Sequence, residues 1–224
     1  MSAIHPNLIA WYRGEGTAND ASGVGHNGTW HGSAAYVAGK IGQAFSLDGL
    51  TDYVDVGEGG GDFDFGAGDF SMALWFNKTN DTSYGSFLDK YVPNSNDRSW
   101  GFRTDNANSQ LVFVTEADGA AGNTKLLTTD SSVWTAGTWT HVVFTKSGTV
   151  GNFYVDGVLV GDDGTALDAT IYDSAAKVTI GAGVESTTNF FGGSIDEVMI
   201  FDCALDANDR KRAMLGMLPA RIYT

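Results

Sequence analysis

Short runs of β-branched and aromatic residues recur along almost the whole chain, each closed within a few positions by Gly, Asn, Asp or Ser. Such runs read as strands, and their regular succession reads as a many-stranded sandwich or barrel. Strands are expected over 8–12, 44–47, 53–56, 70–76, 87–90, 100–103, 111–115, 139–146, 153–156, 158–161, 178–181 and 195–201. These suffice for two sheets, and helical periodicity is almost absent. In the run 71–76, Met72, Leu74 and Phe76 share one face while Trp75 lies on the other, turned outward or into a groove, because strand side chains alternate. Asp156-Gly157 sits between two apolar runs and predicts a hairpin, since a type I′ turn needs positive φ at both central residues. Near the end, Asp206 and Asp209 precede Arg210, Lys211 and Arg212, which places acid at a helix N-terminus and base toward its C-terminus. Pro219 is expected to stop that helix.

With 224 residues, 42% hydrophobic and 12% aromatic, the chain has the apolar surface for a sizeable core, and no linker or repeat divides it. Thirteen Lys and Arg against 27 Asp and Glu give a net charge of −14, which argues against nucleic acid as a partner and against anionic membrane surfaces. No apolar run approaches the roughly 18 residues of a transmembrane helix. The opening Met-Ser-Ala-Ile-His-Pro-Asn lacks a basic and then apolar export signal, and the single Cys203 cannot form an intramolecular disulfide.

Seven blocks carry a resemblance. They are Leu8-Ile9-Ala10-Trp11-Tyr12 with Gly14-Glu15-Gly16; Asp20-Ala21-Ser22-Gly23 leading to Asn27-Gly28-Thr29; 38–45 with Asp48-Gly49 and Asp52-Tyr53-Val54; 70–76; Gly137-Thr138-Trp139-Thr140-His141-Val142; Tyr154-Val155-Asp156-Gly157; and 193–201, which includes Ile195-Asp196-Glu197-Val198. In this order they resemble laminin G-like domains of the concanavalin A-like lectin/glucanase superfamily. The resemblance implies an all-β jelly-roll sandwich of two antiparallel sheets over 1–214, with a short C-terminal helix and a tail at 215–224 outside it. It further implies a structural calcium where the early Asp-rich turn meets the Ile-Asp-Glu-Val strand, at Asp20, Asn27 and Asp196. Calcium takes about six to eight oxygens, and the Gly-rich turn after Ser22 could supply carbonyls, with His26 contributing only its backbone. The same residues would serve without metal, Asp20 in an Asx-turn and Asp196 bonded to loop backbone.

Other patterns point away from chemistry. Gly23-Val24-Gly25-His26-Asn27-Gly28 matches a dinucleotide fingerprint literally, yet no strand enters it and no helix follows. Glycoside hydrolysis, the activity the superfamily raises, needs two carboxylates about 5 to 10 Å apart across a cleft. The Glu-x-Asp patterns of glucanase relatives are missing, Asp62 and Asp64 lie in a turn-like stretch, and alternation sends Asp196 and Glu197 to opposite faces. None of the four His is spaced for a nucleophilic triad, and His141 reads as a strand histidine bonded to a neighbour. Trp11, Trp75 and Trp139 read as core or near-core. Trp100, close to Asn96 and Arg98, has the stacking and hydrogen-bonding company that sugar binding needs, so these three are the candidate ligand residues, with a partly buried Trp100 as the alternative.

The expected function is a non-catalytic interaction protein that binds a glycan or a protein surface. Its favoured setting is a bacteriophage virion surface, as a decoration, fibre or tail-appendage protein against capsid or tail proteins, with 215–224 docking on a neighbour. The alternative is a carbohydrate-binding or adhesion module of a larger secreted bacterial protein, outside the cell or on its surface, with a glycoside hydrolase as the residual reading.

Overall fold

A computed structural model describes residues 5–33, 35–58, 61–80, 83–92, 96–105, 108–120, 122–183 and 189–217. Among the described residues fifteen strands form two sheets, every pairing antiparallel. The strands are β1 (Leu8–Tyr12), β2 (Thr29–His31), β3 (Tyr36–Ala38), β4 (Gln43–Asp48), β5 (Tyr53–Gly57), β6 (Phe70–Lys78), β7 (Gly85–Val92) and β8 (Asp97–Thr104). They continue as β9 (Leu111–Thr115), β10 (Lys125–Thr128), β11 (Thr140–Ser147), β12 (Val150–Val155), β13 (Val158–Val160), β14 (Val178–Ile180) and β15 (Gly192–Phe201). One sheet runs β13-β12-β11-β6-β15-β4-β3, with β1 on the far end of β15; the other runs β10-β9-β8-β7-β14-β5-β2.

The inner faces meet in a core rich in phenylalanine. Phe113 and Phe144 stack across the two sheets with ring centroids 3.7 Å apart, surrounded by Phe70, Phe102 and Phe153. Ring-on-ring packing of this kind adds to area burial and fixes the sheet spacing. The hairpin β12–β13 turns at Asp156 (φ 48°) and Gly157 (φ 83°), as its dipeptide predicts.

The helix α1 (Ala207–Met214) packs on part of the outer face of the eight-stranded sheet. Asp206 caps it, its carboxylate accepting from the backbone N–H of Asn208 (2.8 Å) and Asp209 (2.9 Å). The helix ends in a paired turn, with Gly216 N–H on Ala213 O and Met217 N–H on Arg212 O, before Pro219, which lies outside the described residues. A second apolar layer of Leu8, Ala73, Val143, Met199, Phe201, Leu205 and Ala213 forms beneath it. Trp75 is therefore covered rather than exposed. Its indole N–H donates to Met214 O at 3.0 Å, with Lys40 over its ring and His141 beside it. His141 is buried and held through its backbone N–H on Asp156 Oδ1 (3.0 Å), while its ring Nδ1 has no partner; burial holds the ring neutral, with its pKa pushed down to about 3.

Candidate ligand-binding face

α1 covers part of one outer face, and a cluster of unpartnered polar atoms lies on the other, the outer face of the seven-stranded sheet. Side chains there alternate with the core set, but two bulges reset the alternation in the β7–β8 pair, one between Ser86 and Leu88 and one between Lys90 and Tyr91. The resulting register puts Ser86 opposite Arg103, Asp89 opposite Gly101 and Tyr91 opposite Arg98, with Val114 of β9 beyond Gly101. Arg103 Nη2 lies 3.1 Å from Asp89 Oδ2, and Ser86 Oγ donates to the same oxygen at 3.1 Å. Burial pushes the Asp89 carboxyl up to about 6, against the pull of Arg103 and Ser86. Gly101 makes this reach possible: a Cβ there would stand 2.7 Å from Arg103 Nη2 and 3.1 Å from Asp89 Oδ2.

Tyr91 organises the rest. The guanidinium carbons of Arg98 and Arg103 lie 5.7 and 5.4 Å from its ring centroid, cation–π geometry on both counts. Its hydroxyl donates to Glu116 Oε1 at 3.4 Å, and Thr124 Oγ1 donates to the same oxygen. Four polar atoms are left without a partner: Arg98 Nη1, Arg103 Nε, Asp89 Oδ1 and Glu116 Oε2. Arg98 is only 8% exposed and makes no ion pair among the described residues, and Glu116 is fully buried. Asp89, Arg103 and Glu116 each keep a partner through another atom and lack one at the atom named, whereas Arg98 lacks a counter-charge altogether among the described residues; buried polar atoms without a hydrogen bond are costly and rare in folded proteins, so four in one place single out this cluster. The set holds two unpaired donors and two unpaired acceptors around one aromatic ring, all four atoms lying beneath the surface, and hydroxyl groups, which both donate and accept, are the chemistry that complements such a mixture.

Of the three candidate ligand residues, Arg98 lies in this cluster and Asn96 is exposed at the turn leading into β8. Trp100 is not available to a ligand. It is fully buried in the core, ring against Phe65, and its indole N–H donates to Phe63 O at 3.1 Å. Strict alternation would put Arg98 and Trp100 on one face; the extra residue, Ser99, turns Arg98 outward and Trp100 inward. Asp89, Tyr91, Arg103 and Glu116 escaped the sequence reading because only the bulged register brings them together.

The three candidate calcium residues do not assemble into a metal site. Asp20 Oδ1 accepts from the backbone N–H of Trp11 (2.9 Å) and Ser22 (2.8 Å); Oδ2 accepts from Ser22 Oγ (2.7 Å) and from the N–H groups of Gly25 (3.0 Å) and His26 (3.1 Å). Burial pushes its pKa up, but these hydrogen bonds outweigh burial and hold it below the usual carboxylate range. Asn27 Oδ1 accepts the Asp20 N–H at 3.0 Å, and the His26 carbonyl accepts the Tyr12 hydroxyl at 2.7 Å. Oxygens surrounded by N–H and O–H donors face the wrong dipoles for a cation, so Asp20 and Asn27 do not fit calcium and serve instead as the clasp of an Asx-type loop. Asp196 belongs to a different set, its Oδ2 accepting from Ile41 N–H at 2.9 Å and its Oδ1 buried without a partner. Among the described residues no group of three or more His, Cys, Asp or Glu is placed to hold a metal ion.

Asp196 and Glu197 also correct the alternation argument. A bulge between Asp196 and Met199, with Glu197 at φ 52°, turns both carboxylates to the outer side of the eight-stranded sheet. Glu197 Oε2 accepts the Trp11 indole N–H at 2.6 Å, and its Oε1 lies 3.4 Å from Arg13 Nε. Burial is the main cause that raises both pKa values, that of Asp196 to about 7, and each acid's neighbouring carboxylate adds to it.

Comparison with known proteins places this fold. A model of the concanavalin A-like lectin/glucanases superfamily, of the laminin G type, matches residues 47–209. The chain belongs to that superfamily. No curated protein matches it. Domain 4 of AbnA, a GH43 extracellular arabinanase from Geobacillus stearothermophilus solved in complex with arabinotriose, is 21% identical with a TM-score of 0.60; 92% of this chain covers 98% of that one. The binding domain of Paraclostridial Mosquitocidal Protein 1 is 17% identical with a TM-score of 0.71 over 93% of this chain. The botulinum neurotoxin type C chain from a study of its cell entry through two ganglioside molecules is 16% identical with a TM-score of 0.67 over 91%. This chain spans about half the length of the two toxin chains. At such identities the likeness shows the jelly-roll fold alone, which is the fold expected from the motif order.

Proposed function

We propose that the chain is a non-catalytic, lectin-like recognition domain that binds glycan on the outer face of the seven-stranded sheet, around Tyr91. The observation that carries this reading is the buried set of unpartnered donors and acceptors, Arg98 Nη1, Arg103 Nε, Asp89 Oδ1 and Glu116 Oε2, gathered about one aromatic ring. Support comes also from the company of the fold: a domain solved with arabinotriose and a chain of botulinum neurotoxin type C, whose cell entry depends on interaction with two ganglioside molecules, share it. In this reading the half-buried Tyr91 packs on the sugar, the Arg98 and Arg103 guanidinium groups beside it donate to hydroxyls, and no covalent step is involved. The domain would act outside the cell that makes it.

The test is a glycan array probed with the wild-type chain, Arg98→Ala and, as a control far from the face, Lys211→Ala on the exposed side of α1. Wild type and K211A should bind the same glycans, and R98A should lose at least about tenfold, the lower range for removing a charged hydrogen-bond donor. Equal binding by R98A would move the site elsewhere, and no glycan signal at all would end the carbohydrate reading. The virion setting is tested in parallel by sedimenting the chain with phage particles: association that survives R98A would favour a structural place on the particle.

A further inference from the structure

A second aromatic surface stands on the same sheet face, and its position says what kind of glycan the face is built for. His31 of β2 lies directly opposite Tyr53 of β5, and the two rings stack with centroids 4.6 Å apart and planes 3° from parallel. Phe190 adds a third ring at 6.3 Å from Tyr53. Asp55, two residues along β5 and so on the same face, is paired with Lys177 at 2.7 Å and lies 3.7 Å from His31 Nε2. The His31 side chain is 42% exposed and that of Lys177 53%. The platform is therefore half open to solvent and flanked by a hydrogen-bonding acid and base.

The register fixes where this platform stands relative to Tyr91. Thr179 of β14 pairs with both Asp55 and Asp89, and β5 and β7 run parallel because each is antiparallel to β14. Tyr53 lies two residues before Asp55 and Tyr91 two residues after Asp89, so the rings are displaced by four residues along the strands and two strands across, roughly 17 Å. That is too far for one sugar ring to touch both.

Resting on the glycan reading above, we propose that the face holds two subsites, Tyr53–His31 and Tyr91–Arg98, that are occupied together by an extended oligosaccharide rather than by a terminal monosaccharide. Each subsite supplies half-buried aromatic surface with charged groups beside it, and a ligand long enough to cross the sheet diagonally gains the second contact as an intramolecular event.

The experiment is calorimetry of the full chain with arabinose, arabinotriose and arabino-oligosaccharides long enough to span both rings, and with a ganglioside headgroup oligosaccharide as the branched comparison. Affinity should rise about a hundredfold or more from the shortest ligand to the spanning one, and Tyr53→Ala and Tyr91→Ala should each abolish that rise, because linkage of two sites adds roughly 10² or more to affinity. His31→Ala, which removes a half-exposed ring, gives the same test should Tyr53→Ala fail to fold. A flat length series, or a Tyr53→Ala and His31→Ala pair that binds like wild type while Tyr91→Ala does not, overturns the second subsite and leaves the first in place. Absence of binding by the wild type to every one of these sugars removes both.

Discussion

Replacing Asp196 by Asn should flatten the dependence of stability on pH. Asp196 is fully buried, with one carboxylate oxygen on Ile41 N–H and the other without a partner, and Glu197 beside it. Its pKa is raised from 3.8 to about 7, chiefly by burial. The sign follows directly: between those values the folded chain holds a proton that the unfolded chain has released, so stability falls as pH rises toward and through 7. At about 1.4 kcal/mol per unit, the loss between pH 5 and pH 8 is at most about 2 to 3 kcal/mol, or roughly 5 to 10 °C in Tm for a domain of this size. Asn cannot ionise and keeps the acceptor for Ile41, so its stability should change by less across the same range. Asp89 and Glu197, also raised by burial, contribute the same trend to both proteins and the buried neutral His141 the opposite one, so the difference between the two profiles isolates Asp196. Urea denaturation of both at pH 5, 6, 7 and 8 is the assay. Parallel pH profiles would show that Asp196 ionises freely in the fold, and the argument from burial would fail.

Three further outcomes are expected. Gly101→Ala should push Arg103 off Asp89 and cost about 1 to 3 kcal/mol, seen as a lowered Tm together with weakened glycan binding; an unchanged Tm would mean that Arg103 does not need the space. Asp20→Ala strips the acceptor from four backbone N–H groups and the Ser22 hydroxyl and should cost about 2 kcal/mol or more in chemical denaturation. Melting curves in EDTA and in calcium should superpose, since the Asp20 and Asn27 oxygens are committed to N–H and O–H donors; a rise of several degrees on adding calcium would reassign the free Asp196 Oδ1 as a ligand.

The strands that announced themselves were those whose side chains meet a core. β9 is buried throughout and apolar up to its last residue, Thr115, and the Asp156-Gly157 turn has the φ values its residues favour. The Asp206 cap was legible for the same local reason. β2, β3 and β10 were not, because strands of three or four half-exposed residues gain their structure from a neighbour's edge rather than from their own pattern. The candidate site followed the same division. Arg98 could be picked out by its company, but the faces of Arg98, Trp100, Asp196 and Glu197 depend on bulges, and a period-two reading reverses at each extra residue. The Asp20 loop shows a related limit, since one Asp-rich turn can clasp either a cation or its own backbone, and only the donor geometry tells which.

A glycan bound as proposed sits on the outer face of the seven-stranded sheet. Titrating isotope-labelled protein with the best glycan from the array and mapping backbone amide shifts tests it most directly. Shifts concentrated on β7 and β8 around Tyr91, Arg98 and Arg103, extending to β2 and β5 at His31 and Tyr53, are the predicted result. Shifts confined to α1, or to the β12–β13 hairpin on the opposite sheet, would contradict it.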